Sequence, residues 1–243
     1  MTRIRPKAYV WTDVGQKRER NEDAYLLLPE YDLYAVADGM GGHVGGEKAS
    51  QLATQSIKEL VLENLNHIDH AEAPKLLGDS VRAASKRIFE ETFVHPELKG
   101  MGTTATALLL ESEQAILAHV GDSRAYLIRE GELEQITEDH SLVQEQFRSG
   151  LISLEQARHS RFRNIITRCL GFEDDVDVDM MVLTPQPDDI FVLCTDGLTT
   201  LVEDKEILQT IANNDQQIAG QKLIDLANSR GGNDNITVLL VYV

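Results

Sequence analysis

Residues 33–43, LYAVADGMGGH, decide how the rest of the chain is read. The apolar run 33–37 tolerates strand geometry and delivers one carboxylate, Asp38, to the mouth of a loop. Gly39, Gly41 and Gly42 then let the backbone fold back and approach a neighbour closely. A strand-end aspartate before a glycine turn presents a metal ligand, and the same device occurs in plain hairpins. Repetition favours the first use. Asp122 in VGDS, Asp196 in TDGL and Asp234 in GGND also stand beside glycine at expected strand ends.

Outward from this stretch, strands are expected at 8–12, 24–28, 34–37, 102–110, 115–120, 124–129, 132–136, 190–194 and 236–243. Glu130–Gly131 reads as a hairpin turn. Ala49, Leu52, Ala53, Ile57, Leu60, Val61 and Leu65 recur at helical spacing, so 46–66 is an amphipathic helix with one buried face. A second helix is expected at 74–93, with Pro74 in its first turn, and others at 203–213 and 215–229. Residues 140–149 read as a helix stopped by Gly150, and Ser153 to Gln156 has the form of a capping box. The following QARHSRFRN is polar and basic, and reads as an excursion outside the core that meets an anionic substrate. DDVDVD at 174–179 lacks the glycine and distal glutamate of a calcium loop, and its alternation is that of a half-exposed strand. No repeat or linker divides the chain. One domain over 1–243 is expected, with sheets covered by helices.

At 243 residues the chain is long enough to bury a substantial core. Its formal charge of −17 argues against nucleic acid or an anionic membrane as partner. No apolar run approaches the roughly 20 residues of a membrane helix, and the basic N-terminus lacks the apolar stretch of a secretory signal. Cys169 and Cys194 are not spaced as a metal pair and suggest a reducing compartment. A cytoplasmic monomer is expected.

If the four aspartate-bearing strand ends converge, with Glu22 and Asp23 adding two carboxylates, the site is rich in oxygen donors and has no Cys or His pair. Such sites select Mg²⁺ or Mn²⁺ over zinc. Two such ions can activate a water for in-line displacement at phosphorus. Arg18, five residues before Asp23, reads either as part of a charged hairpin loop or as the cation for an anionic substrate. Other phosphatase chemistries lack their residues. Six positions after Cys169 and Cys194 stand Asp175 and Thr200, not arginine; Asp177-Val-Asp179 is followed by Met180-Met181; and no Gly-Lys-Ser/Thr follows Gly39.

The ordered set RERNEDA (18–24), DGMGGH (38–43), GTTA (102–105), VGDSR (120–124), DHS (139–141), TDGL (195–198) and GGNDNITV (231–238) resembles the type 2C metal-dependent Ser/Thr protein phosphatases of the bacterial branch. The resemblance covers essentially the whole chain. It implies an α+β fold, a four-layer α-β-β-α sandwich of two antiparallel sheets flanked by helices, with a flap at about 140–165. It implies two Mn²⁺ or Mg²⁺ ions and room for a third. Asp38 would bridge the pair and the Gly39 carbonyl would ligate one ion; Asp196 and Asp234 would complete the other. Glu22 and Asp23 would act through waters, and Asp122 with Asp196 would form the third position. Arg18 would clamp the substrate phosphate, and His43 would serve as the acid for the leaving oxygen. Met40 stands where the eukaryotic branch has its histidine, and Thr200 where it has an acidic residue. The implied activity is hydrolysis of phosphoserine and phosphothreonine in proteins, the targets of a cognate Ser/Thr kinase. A catalytically inactive phosphoprotein binder and a small-molecule phosphomonoesterase are the rival readings.

Overall fold

Residues 6–41, 45–158 and 160–243 are described by a computed structural model. In chain order they form β1 (Lys7–Asp13), β2 (Ala24–Leu28), β3 (Leu33–Ala37), β4 (Gly39–Met40), α1 (Gly45–Asn64) and α2 (Ala73–Val94). β5 (Gly102–Thr103), β6 (Ala105–Glu111), β7 (Gln114–Val120), β8 (Arg124–Arg129) and β9 (Glu132–Gln135) follow, then α3 (Leu142–Arg148) and α4 (Leu154–Arg158). The chain continues through β10 (Asp179–Leu183), β11 (Ile190–Cys194), α5 (Asp196–Thr199), α6 (Asp204–Ala212), α7 (Ala219–Ser229) and β12 (Ile236–Tyr242).

Two five-stranded antiparallel sheets result, in the orders β1-β12-β11-β8-β9 and β10-β7-β6-β3-β2. Alternation along each strand sorts the side chains into three apolar layers. Tyr34 and Val36 of β3 meet Phe191, Leu193, Leu239 and Val241 between the sheets. Leu33 and Ala35 face the other way, onto Ile57 of α1 and Leu77, Val81 and Ile88 of α2. On the far side Val238 and Leu240 of β12 pack under Ile207 and Ile211 of α6 and Leu223 of α7. With apolar residues on both faces, the central strands need helices outside and each other inside, which is the expected α-β-β-α layering.

Local differences from the expected elements have physical causes. The strand expected over 102–110 breaks at Thr104, whose N–H donates to the Asp38 carbonyl while its hydroxyl accepts from the Asp38 N–H. The two residues before it pair instead with β4. In 174–179 only Asp179 joins a ladder, opposite His119; Val176 and Val178 still pack on the core while Asp174, Asp175 and Asp177 stay exposed. The alternation is real, but the partner strand ends too soon. The helix expected from 215 begins at Ala219, because the Asp215 side chain accepts from Gln217 N and closes a turn first. The helix expected from 140 begins at Leu142, with Ser141 as its cap.

Between β9 and β10 the chain leaves both sheets and carries exposed Phe147, Leu151, Phe162 and Ile165. The bridge Ser141–Ile166 ties its outgoing and returning arms to each other, and Thr103–Leu170 laces the returning arm to β5. Among the described residues no helix is long and apolar enough to cross a membrane.

Candidate metal centre

Antiparallel register places the strand ends. Ala24 opposite Ala37 brings Asp23 and Asp38 to one edge of their sheet, and Ala105 opposite Val120 brings Thr104 and the Gly121–Asp122 turn to the same edge. In the other sheet Cys194 opposite Val238 brings Asp196 and Asp234 together. The two edges are stitched through Asp23. Its Oδ2 accepts from the hydroxyls of Thr237 at 2.6 Å and Thr195 at 2.9 Å, residues 214 and 172 positions away. Beside it, Asn235 Oδ1 accepts from the Glu22 N–H, and its amide group donates to the carbonyls of Val14 and Arg20.

The carboxyl groups lie in one another's field. Burial, and then Asp23, Asp196, Asp122 and Asp234, push Asp38 well above the usual carboxylate range. Burial also dominates at Asp23, pushed up to about 7, with Asp196 and Asp234 adding to it and the two threonine hydroxyls opposing it. Asp196 is raised to about 6 by burial and Asp234, against a hydrogen bond with Asp38. Asp122 is raised by burial, Asp196 and Asp139. At the rim, Arg18 Nη2 donates to Asp234 Oδ2 at 2.7 Å with half of its side chain exposed. Burial lowers the Arg18 pKa, but Asp234, Glu22 and Asp38 outweigh it, so this cation is permanent.

Among the described residues no three His, Cys, Asp or Glu side chains already stand as a cage around one point. Asp23 and Asp234 are turned to hydroxyls and to Arg18, and Asp38 and Asp196 share a hydrogen bond. The donor set nevertheless fits hard divalent ions. Asp23 Oδ1 and Asp122 Oδ1 are buried without a hydrogen-bond partner, an arrangement that costs stability unless a cation completes it. All the candidate donors are oxygens. The Gly39 carbonyl is packed under Gly46 in the first turn of α1, where a Cβ on either glycine would collide with the other's backbone.

The expected site residues Asp23, Asp38, Asp122, Asp196, Asp234 and Arg18 are therefore brought to one end of the sandwich, with Glu22 and Gly39 beside them. His43 lies outside the described residues. Sequence reasoning passed over Thr104, Thr195, Thr237 and Asn235, which hold the carboxylates in place. It also passed over Arg124, whose guanidinium grips Asp139 through contacts of 2.7, 2.8 and 3.1 Å behind Asp122. Their motifs were visible, but motif membership does not say which partner each residue meets.

Burial of these carboxyls, reinforced by their mutual repulsion, has a measurable consequence in metal-stripped protein. A carboxyl whose folded-state pKa exceeds its unfolded one binds more protons when folded, so stability falls as pH rises between the two values. His119, lowered to about 4 mainly by burial, and His140, also lowered mainly by burial, oppose this trend only below their ordinary range. From about pH 6.5 to about pH 8 the carboxyls act alone, and urea unfolding in chelator is expected to show a fall of about 1 to 3 kcal/mol. A flat profile there would mean that the carboxyls are not buried together as described.

An oxygen-only donor cluster at the mouth of an α-β-β-α sandwich is the build of a metal-dependent phosphatase. The chain belongs to the protein phosphatase 2C family, whose model matches residues 18–236. It is 39% identical over 235 residues to the serine/threonine phosphatase stp of Listeria welshimeri, covering 95% of this chain and 93% of that protein. The crystal structure of the Mycobacterium tuberculosis phosphatase PstP/Ppp superposes with a TM-score of 0.90 at 35% identity, covering 98% of both chains. The PstP catalytic domain in complex with two manganese ions superposes with a TM-score of 0.87, also at 35% identity, covering 98% of this chain and 97% of that one.

Proposed function

We infer that the strand-end carboxylates are the metal ligands of a protein serine/threonine phosphatase. The class of activity comes with the family: the chain is a metal-dependent hydrolase of phosphoserine and phosphothreonine. The assignment of ligands is supported chiefly by one observation, the buried cluster of Asp23, Asp38, Asp122 and Asp196 with two orphaned oxygens. In this reading Asp38, the Gly39 carbonyl, Asp196 and Asp234 hold two Mn²⁺ or Mg²⁺ ions, with Glu22 and Asp23 acting through waters. Asp122 and Asp196 offer a third position. Ions bound there supply an activated water and neutralise charge developing at phosphorus.

The chain's own residues do the rest. Arg18 leaves Asp234 and turns its N–H groups to the phosphoryl oxygens, holding the ester in line. The threonine hydroxyls at Asp23 keep that carboxylate fixed while the substrate enters. His43 is assigned the proton for the departing seryl or threonyl oxygen. The whole chain acts as one domain, with 140–165 as the flap over its mouth, and the substrates are cytoplasmic phosphoproteins of a cognate kinase, met by a monomer.

Purified protein with Mn²⁺ is expected to dephosphorylate a phosphothreonine peptide and to stop in EDTA; metal-replete protein without turnover overturns the reading. Arg18→Ala is expected to lower kcat/KM by about 10- to 100-fold, chiefly through KM, because it removes a charge-assisted bond of about 1.5 to 3 kcal/mol. Arg18→Lys should recover only part, since a point charge lacks the fork. Equal KM in all three proteins would remove Arg18 from the phosphate site.

A further inference from the structure

The turn that presents Asp122 is clasped by a histidine to which the phosphatase reading gives no role. His140 N–H donates to the Gly121 carbonyl at 2.8 Å, and the Gly121 N–H donates back to His140 Nδ1 at 3.0 Å. Residue 121 has φ +114°, and its face lies so close to the Thr104 side chain that a Cβ would sit 2.5 Å from Thr104 Cγ2. The turn is therefore pinned between His140 and the threonine that holds Asp38.

With Nδ1 accepting, the neutral imidazole carries its proton on Nε2, which faces Asp179 Oδ2 at 3.2 Å, and Arg168 Nη1 lies 3.0 Å from the same nitrogen. Asp179 opens β10, and its other oxygen accepts from Arg168 at 2.6 Å. Arg168 lies on the returning arm of the excursion. The His140 carbonyl accepts from Thr167 N on the same arm. Thus one buried ring, 7% exposed as a residue, touches the Asp122 turn with one nitrogen and the anchor of the returning arm with the other. The His119 ring lies tilted with its centroid 4.8 Å away and contacts the Glu138 carbonyl, fixing the outgoing arm.

We propose that His140 is a positioning residue that couples the excursion at 140–165 to the Gly121–Asp122 turn. Its Nδ1 arm sets the Asp122 carboxylate, and its Nε2 arm sets the returning arm through Asp179 and Arg168. The consequence for turnover rests on the assignment of Asp122 as a ligand and of 140–165 as a flap. The consequence for the apoprotein does not.

The two arms separate by substitution. His140→Asn keeps an acceptor near the Nδ1 position but falls short of Asp179; His140→Gln reaches toward Asp179 and leaves the Gly121 N–H unpaired. Amide exchange is read on metal-free protein. His140→Ala should speed exchange by about tenfold or more at Gly121 and across 165–170, while β6 and β12 exchange as before. His140→Asn should spare Gly121 and expose 165–170, as should Asp179→Asn; His140→Gln should do the reverse. In the Mn²⁺-loaded enzyme, the Asn variant should raise KM for a phosphopeptide, and the Gln variant should lower kcat on p-nitrophenyl phosphate. If Asn and Gln exchange alike, or all variants match the parent, the proposal is overturned. The same holds if β6 and β12 loosen together with the arms. If His140→Ala fails to fold, the Asn, Gln and Asp179→Asn proteins decide it alone. Split exchange with unsplit kinetics would leave the clasp standing and defeat the ligand role of Asp122 (kcat unsplit) or the flap role of 140–165 (KM unsplit).

Discussion

Asp196→Asn is expected to lower turnover of a phosphothreonine peptide at least about a thousandfold, a loss of roughly 4 kcal/mol of transition-state stabilisation, while the sandwich stays folded. Asparagine keeps the shape of the side chain at the start of α5 and leaves the backbone bonds of that turn, such as Thr200 N to the residue 196 carbonyl, untouched. What it removes is a charge in a place where charge is unfavourable without a cation. Asp196 is raised to about 6 by burial and by Asp234, and it in turn raises Asp23, Asp38 and Asp122. Taking that charge away should therefore stabilise the metal-free protein, with a Tm in chelator a few degrees above the parent, about 2 to 4 °C per kcal/mol at this size. The same variant should bind Mn²⁺ more weakly in calorimetry, so the order of the two Tm values reverses when metal is added. The paired signs distinguish a ligand from a structural residue, which would lose stability in both conditions. Full activity in this variant, or in Asp38→Asn, would mean that the carboxylates are misassigned.

The parts of this centre that sequence shows are those with local signatures. Asp38, Asp122 and Asp196 are legible because each sits at the change from apolar strand to glycine turn, and Asp234 because it sits at the reverse change. Either change needs only a few neighbouring residues to read. Strands such as 24–28 and 190–194 are legible for the same reason. Thr195 and Thr237 are not, since their role is to bond a carboxylate 172 and 214 positions away, and nothing near either residue announces it. Thr104 sits within a β-branched and apolar run that reads as continuous strand. It breaks the strand only because the Asp38 backbone claims its N–H and hydroxyl. The 174–178 stretch shows the converse: its alternation matches its exposure, yet no neighbouring strand is there to make it a ladder. Local pattern reports which face a residue turns to the core. Pairing depends on what the rest of the chain supplies.

Gly197→Ala is expected to be among the most damaging single methyls that can be added at the centre. Gly197 lies in the first turn of α5, and a Cβ there would collide with the Asn235 carbonyl oxygen and crowd the Ile236 side chain at 3.3 Å. Neither is the loose end of a flexible chain. The Asn235 backbone leads into β12, while its side chain ties Glu22, Val14 and Arg20 together. Relieving the clash moves α5 off β12 and draws Asp196 away from Asp234, or tears Asn235 from the β1–β2 connection and releases Asp23. Either path costs about 3 kcal/mol or more, and a Tm lowered by roughly 6 to 12 °C should be seen with and without Mn²⁺. Gly100→Ala separates space from backbone conformation. Gly100 has φ +86° but nothing within 4 Å of the added atom, so its cost is the strain of that φ alone, about 1 kcal/mol. If Gly197→Ala melts with the parent and binds Mn²⁺ as tightly, then α5 and the Asn235 turn do not pack as described. The two edges of the sandwich would then owe their alignment to something other than this contact.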